Sequence, residues 1–241
     1  MNRPLPIFAI LLLGLVASGH AQPATSGGAC PPRTDVAGLP LVELPATAET
    51  NRAFAVMLTG DGGWRRIDAE VTAPIRARGI PVVGFSTPAF FHDRRTAEES
   101  ACALERILRT YLVRWNRSSI LLIGYSRGAD ILPFMASRLP ADLRERVRLI
   151  AFLGLEPAID FRYHPSWIPF YHPREVQFPV VPELEKMRDY RMLCVYGQEE
   201  PDSLCRSLDP QLVRPLREPG GHHFGGRYEE IGNAIVDALE Q

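Results

Sequence analysis

Short apolar runs recur along this chain, and between them lie longer stretches with apolar residues at three- and four-residue spacing. The runs predict strands at Leu39–Leu44, Ala53–Thr59, Ile80–Phe85, Ser119–Gly124, Val147–Leu153, Arg191–Tyr196 and Leu212–Arg217. Several are continuously apolar, as strands covered on both faces must be. The spaced stretches predict helices at Trp64–Arg78, Thr96–Trp115, Gly128–Arg138, Glu183–Asp189 and Tyr228–Leu239. In the second of these, Ala97, Ala101, Leu104, Leu108, Tyr111 and Leu112 line one helical face. Strand and helix alternate, so the expected class is α/β: a mostly parallel sheet, right-handed crossovers and helices on both faces. Such sheets bind ligands at the carboxyl ends of their strands. Residues 156–182 break the rhythm with prolines and with Phe161, Tyr163, Trp167, Phe170 and Tyr171. They predict an insertion beside the site, a lid or a substrate wall.

The first residues carry a different pattern. Arg3 precedes an apolar stretch from Ile7 to Val16, and small residues follow at Gly19 and Ala21. This predicts a secretory signal peptide over residues 1–21, cleaved before Gln22. Residues 22–38 then read as an extended lead-in, and residues 39–241 as one α/β domain. The apolar stretch is short of the ~20 residues that span a bilayer, and no lipobox precedes Cys30. The mature protein is therefore expected to be soluble, exported and periplasmic.

Composition refines the picture in three ways. With 241 residues the chain suffices for one large α/β domain. The 27 basic residues balance the 28 acidic ones, which argues against broad nucleic-acid binding. The four cysteines suit an oxidising compartment. Cys194 and Cys205 flank a short loop and are expected to pair, leaving Cys30 with Cys102. Zinc-site spacings are absent, so no metal and no organic cofactor is expected.

The chemistry concentrates after the strands. Ile120–Ile123 runs into Gly124-Tyr125-Ser126-Arg127-Gly128, and a helix follows. Glycines at those two positions permit a sharp strand-to-helix turn that lifts the Ser126 hydroxyl above the strand end, at a helix N-terminus. Ser126 is the candidate nucleophile. A base is expected after the last strand, where Gly220-Gly221-His222-His223-Phe224-Gly225-Gly226 lies. His222 is the first choice and His223 the alternative. An acid is expected after the preceding strand, in Gly197-Gln198-Glu199-Glu200-Pro201-Asp202-Ser203. Glu200 has the commoner offset from Gly197, Asp202 the commoner following residues, and Asp202 is preferred. The order serine, acid, histidine is that of α/β-hydrolases.

An oxyanion hole is expected early, at Gly60-Asp61-Gly62-Gly63-Trp64. Backbone N–H groups of Gly62 and Arg127 are the candidate donors. The loop lacks the Lys-Ser/Thr ending of a phosphate-binding loop. Asp61 orients the loop, caps the following helix or meets a cation on the substrate. Asp61, Asp130 and Glu156 are candidates for an amine, Arg65, Arg66 and Arg127 for a phosphate. Trp64 and Asp130 join Asp61 as candidate substrate-binding residues.

Four pieces together resemble the VirJ/AcvB family of bacterial virulence-associated proteins. They are Gly60-Asp61-Gly62-Gly63-Trp64, Gly124-Tyr125-Ser126-Arg127-Gly128-Ala129-Asp130, Asp202-Ser203-Leu204-Cys205 and Gly221-His222-His223-Phe224. The chain is similar to the single-domain VirJ type, without the additional N-terminal region of AcvB-type proteins. The resemblance implies an exported α/β-hydrolase acting on aminoacylated phosphatidylglycerol, notably its lysyl ester. In some species it also implies a link to virulence or type IV secretion, with secretion-system proteins as partners. An ester of this kind offers Ser126 an activated carbonyl, and the aromatic insertion would give transient contact with a membrane surface. Two other readings stay open: an esterase for a soluble carboxylic ester, and a non-catalytic accessory factor of secretion.

Overall fold

A computed structural model describes Cys30 and residues 35–48, 51–163 and 177–241. The expected signal peptide, most of the lead-in, and Trp167, Phe170 and Tyr171 of the insertion lie outside the described residues. The strands are β1 (Leu41–Leu44), β2 (Ala53–Leu58), β3 (Val82–Phe85), β4 (Ser119–Tyr125), β5 (Val147–Leu153), β6 (Ala158–Ile159), β7 (Phe178–Pro179), β8 (Met192–Gly197) and β9 (Arg214–Glu218). The helices are α1 (Arg66–Ala77), α2 (Thr87–Phe90), α3 (Ala97–Arg114), α4 (Arg127–Ala136), α5 (Ala141–Arg144), α6 (Val181–Glu185) and α7 (Tyr228–Glu240).

Seven strands form one sheet in the order β1-β3-β2-β4-β5-β8-β9. Only β1 runs antiparallel, paired with β3 at the edge. The other neighbours are all parallel. The two-residue periodicity of β2 splits its side chains between two cores. Phe54, Val56 and Leu58 join the larger core with Leu104, Ile107 and Leu108 of α3 and Leu132 and Met135 of α4. Ala53, Ala55 and Met57 join the other with Val71 and Ile75 of α1 and Ile231 and Ile235 of α7. Every residue of β2 is buried, which explains its unbroken apolar sequence.

Local signals set the helix ends. Thr96 Oγ1 accepts from the Glu99 N–H at 3.0 Å, and the Glu99 carboxylate accepts from the Thr96 N–H at 2.8 Å, a reciprocal cap that starts α3. In α1 the Asp68 carboxylate accepts from the Arg65 N–H at 2.8 Å, so Asp68, not Asp61, performs the capping. The helix expected at Glu183–Asp189 begins two residues earlier and is shorter, at Val181–Glu185. Pro182 sits in its first turn, where a proline is tolerated.

Two strands within the expected insertion, β6 and β7, pair antiparallel with each other and stand outside the main sheet. Beside them Phe134, Phe161 and Phe178 form a cluster of edge-to-face rings, with centroids 5.2 Å apart for Phe134–Phe161 and 5.1 Å for Phe161–Phe178. Both expected disulfides are present, Cys30–Cys102 and Cys194–Cys205. They fit an oxidising, extracytoplasmic setting. Among the described residues no helix is long and apolar enough to cross a membrane.

Candidate active site

The parallel strands deliver five loops to one edge of the sheet. They are Thr59–Gly63 after β2, Ser126 after β4, Gly154–Glu156 after β5, Gly197–Glu200 after β8 and Gly220–His222 after β9.

Ser126 has φ 52° and ψ −125°, a left-handed backbone that a non-glycine residue adopts only under constraint. Close packing supplies the constraint. A Cβ on Gly124 would stand 2.4 Å from the Gly128 carbonyl oxygen, and one on Gly128 would stand 2.3 Å from the Leu58 carbonyl oxygen. The Ser126 carbonyl accepts from the Ala129 and Asp130 N–H groups, at 2.7 and 3.1 Å, and so opens α4. The first N–H groups of a helix have no acceptor within it, and the Arg127 N–H is the first of α4.

The histidine and its acid come together through backbone contact. Gly197 lies so close to the Gly221 carbonyl oxygen that a Cβ would stand 2.1 Å from it. The Gln198 N–H donates to the Glu218 carbonyl at 2.7 Å and the Glu199 N–H to the Gly220 carbonyl at 2.8 Å. Across this seam His222 Nδ1 meets Glu200 Oε1 at 2.5 Å, while Glu200 Oε2 accepts from the Gly197 N–H at 3.1 Å. The acid partner of His222 is therefore Glu200. Asp202, preferred from its following residues, is exposed on the same loop and does not meet the imidazole. The offset from Gly197 was the better signal, because the turn closed by the Glu200 N–H on the Gly197 carbonyl fixes where the carboxylate points.

The Glu200 hydrogen bond raises the His222 pKa above the ordinary 6.5. Burial opposes it, and the carboxylates of Glu200, Glu156 and Asp61 add to the rise. Burial pushes the Glu200 carboxyl up, but hydrogen bonds from His222 and the Gly197 N–H outweigh it and hold the group below its ordinary value. The pair thus favours an ionised carboxylate facing an imidazole with enhanced basicity. His223, the alternative base, is exposed, with Nδ1 3.1 Å from the Tyr125 hydroxyl.

Gly154 is a part of the site that the sequence reading missed. It has φ +68°, and a Cβ there would stand 2.7 Å from His222 Cε1 and 2.9 Å from Nδ1. The imidazole lies directly on this glycine. A glycine directly after an apolar strand was the available signal.

The remaining expected residues divide. The Gly63 N–H donates to the Gly60 carbonyl at 3.0 Å, making a tight turn in which the N–H groups of Asp61 and Gly62 stay outside the turn's own bond. Gly60 is the member closest to the nucleophile, since a Cβ on it would stand 3.3 Å from Ser126 Cβ. Gly62 faces the Arg65 side chain. The half-exposed Asp61 carboxylate binds Arg127 Nε.

Three expected substrate contacts are not made available. Asp130 is buried, and its Oδ1 accepts from the Glu156 N–H at 2.8 Å. Burial drives its carboxyl well above the ordinary range. Trp64 packs on β3, where a Cβ on Gly84 would stand 2.4 Å from its ring. The guanidinium of Arg127 is committed to Asp61 and Asp160 and does not stand ready for a phosphate. Arg66 is different: it pairs with Glu70 at the surface and stays exposed. Glu156 is exposed, and among the described residues its carboxylate has no hydrogen bond or ion pair. No group of His, Cys, Asp and Glu among the described residues could hold a metal ion.

A strained serine between strand and helix, a carboxylate-bound histidine after the last strand and a glycine turn beside the serine define an α/β-hydrolase-type site. Solved structures agree on the fold. A membrane phospholipase A, described as a novel bacterial virulence factor, superposes with a TM-score of 0.61 at 17% identity, over 86% of this chain and 85% of that one. Est1E from Butyrivibrio proteoclasticus gives 0.58 at 12% identity, over 83% and 94%. MenH from S. aureus gives 0.58 at 13% identity, over 83% and 99%. No curated protein sequence matches the chain. Residues 52–241 match the profile of the bacterial virulence protein family VirJ, and the chain belongs to that family.

Proposed function

We propose that the protein is an exported, periplasmic serine esterase that hydrolyses the aminoacyl ester of phosphatidylglycerol, of lysyl type. The observation that carries the esterase reading is the Glu200–His222 pair, set on the same sheet edge as the strained Ser126. In this reading Ser126 Oγ attacks the ester carbonyl and His222 Nε2 takes its proton. Glu200 holds Nδ1–H and stabilises the imidazolium. The Arg127 N–H and an N–H of the Gly60–Gly63 turn, that of Gly62 or Asp61, bind the oxyanion. The C–O bond breaks as His222 protonates the departing glycerol hydroxyl, and phosphatidylglycerol leaves. Water, deprotonated by His222, then releases the amino acid from Ser126.

Two observations support the aminoacyl substrate within that chemistry. Membership of the VirJ family is one. The other is the negative field at the site mouth, where Glu156 and Asp61 both act on His222. With Asp61 shared with Arg127, Glu156 is the carboxylate left to meet an ammonium group. Its backbone is pinned by Asp130, which holds it in place.

The test compares mature protein on lysyl-phosphatidylglycerol vesicles with the same protein on a soluble uncharged ester. Release of lysine, lost in Ser126→Ala, is the expected result. Hydrolysis of the soluble ester alone would move the protein to the soluble-ester class. An inert protein on both would favour the accessory-factor reading.

A further inference from the structure

Arg127 follows the nucleophile directly, yet its side chain is only 9% exposed. A guanidinium so placed must be compensated or it destabilises the fold. Two segments converge on it. Nε donates to Asp61 Oδ1 in the Gly60–Gly63 turn. Nη1 donates to the backbone carbonyls of Asp160 and Arg162, at 3.3 and 3.2 Å, and lies 3.6 Å from Asp160 Oδ1. Asp160 is itself buried, and its Oδ1 accepts from the Arg162 N–H at 3.2 Å. The 160–163 segment is anchored in turn, with the Tyr163 N–H on the Phe91 carbonyl at 2.8 Å and the Arg95 N–H on the Phe161 carbonyl at 2.9 Å.

Among the described residues, the turn beside Ser126 has no comparable backbone anchor at its tip. Its base is fixed, because the Gly60 carbonyl takes the Gly63 N–H and the Thr87 hydroxyl, at 3.0 and 3.4 Å. Asp61 and Gly62 stand beyond that bond, between glycines that resist rotation weakly. Among the described residues, the contact that reaches this tip from outside the turn is the side-chain pair of Asp61 with Arg127.

We infer that Arg127 is a positioning residue whose guanidinium, clamped by Asp160 and gripping Asp61, holds the glycine turn in register with the nucleophile elbow. One residue thereby serves both halves of the oxyanion site, by its backbone N–H on one side and by its side chain on the other. The inference rests on the esterase reading of the same site. Oxyanion donors must match the position of the developing charge closely, and a displacement near 1 Å costs about 10²-fold in rate. Loss of the tether therefore lowers turnover more than substrate binding.

The test uses Asp61→Ala, at a half-exposed position and with Asp160 still beside Arg127, together with Asp61→Asn, Arg127→Lys and Arg127→Met. Turnover of p-nitrophenyl butyrate, an uncharged ester, is normalised to the serine titrated by a fluorophosphonate. Asp61→Ala is expected to lower kcat per titrated serine roughly tenfold to hundredfold with KM within about twofold. Phosphonylation should slow in parallel, because the phosphonyl oxygen uses the same donors. Asp61→Asn keeps an acceptor for Nε and should recover most of the loss. Arg127→Lys should recover part of the loss of Arg127→Met, and adding Asp61→Ala to Arg127→Met should cost little more. Wild-type kcat per titrated serine in Asp61→Ala would overturn the inference, as would a change in KM alone. A wild type that neither labels nor turns over would overturn the esterase reading instead, and this inference with it.

Discussion

His222 and Glu200 set the proton chemistry at the scale of single residues. General-base action needs neutral imidazole, and the Glu200 hydrogen bond raises the pKa of His222 above 6.5. Activity should therefore rise with pH through an ionisation above that value. Glu200→Gln should move the limb to lower pH and reduce kcat by up to roughly 10⁴-fold, whereas Asp202→Asn should leave both nearly unchanged. A pH–rate profile of the three proteins checks this. Glu156→Gln removes a solvent-exposed charge, worth about 1 kcal/mol against an ammonium, so KM for a lysyl ester should rise about fivefold. KM for an uncharged ester of similar size should not move, and steady-state kinetics on the two substrates separates the cases. The placement of Ser126 and His222 after their strands was legible because short glycine-bounded patterns carry them. The choice between Asp202 and Glu200 was not, since it depends on the seam between Gly197 and Gly221. The fate of Asp130 and Trp64 depends on burial by distant segments, which no local pattern records.

Elements carry the site through close backbone approach. Gly154 ends β5 against the imidazole, so Gly154→Ala should displace His222 and lower kcat at least tenfold, roughly the cost of a displacement well under 1 Å. Unchanged far-ultraviolet circular dichroism would show that the sheet survives. In α1, Asp68 is fully buried, and its Oδ1 has no hydrogen-bond partner among the described residues. Burial pushes its carboxyl from 3.8 to about 6. A raised folded-state pKa means that the protonated form is the stabilised one. Its contribution is complete below 3.8 and declines as pH rises through 6. Asp68→Asn should accordingly raise Tm at pH 8 and have little effect near pH 4, measured by thermal unfolding across pH. The main-sheet strands were legible to within about two residues because apolar runs and covered strands coincide. Helices α2 and α5 and the β6–β7 pair, each a turn or less, escaped because they carry no period that a sequence can display.

The whole molecule is a family member built for an oxidising setting, with two disulfides of different reach. Cys30–Cys102 spans 72 residues of sequence and ties the lead-in to α3, whereas Cys194–Cys205 spans 11 and closes the acid loop. On chain-entropy grounds loss of the first should cost about 4 kcal/mol and loss of the second about 3 kcal/mol. Activity should rank the other way, because only the second borders Glu200. Denaturant unfolding and kinetics of the Cys30→Ser/Cys102→Ser and Cys194→Ser/Cys205→Ser proteins test both orders. The α/β class followed from alternation along the chain, while the strand order and the partition into two cores needed the sheet itself. The most direct test of the account is intact-mass measurement of the folded, oxidised protein after a fluorophosphonate. One adduct on Ser126 in the wild type, absent from Ser126→Ala, is the predicted result. An unlabelled wild type, or equal labelling of Ser126→Ala, would contradict it.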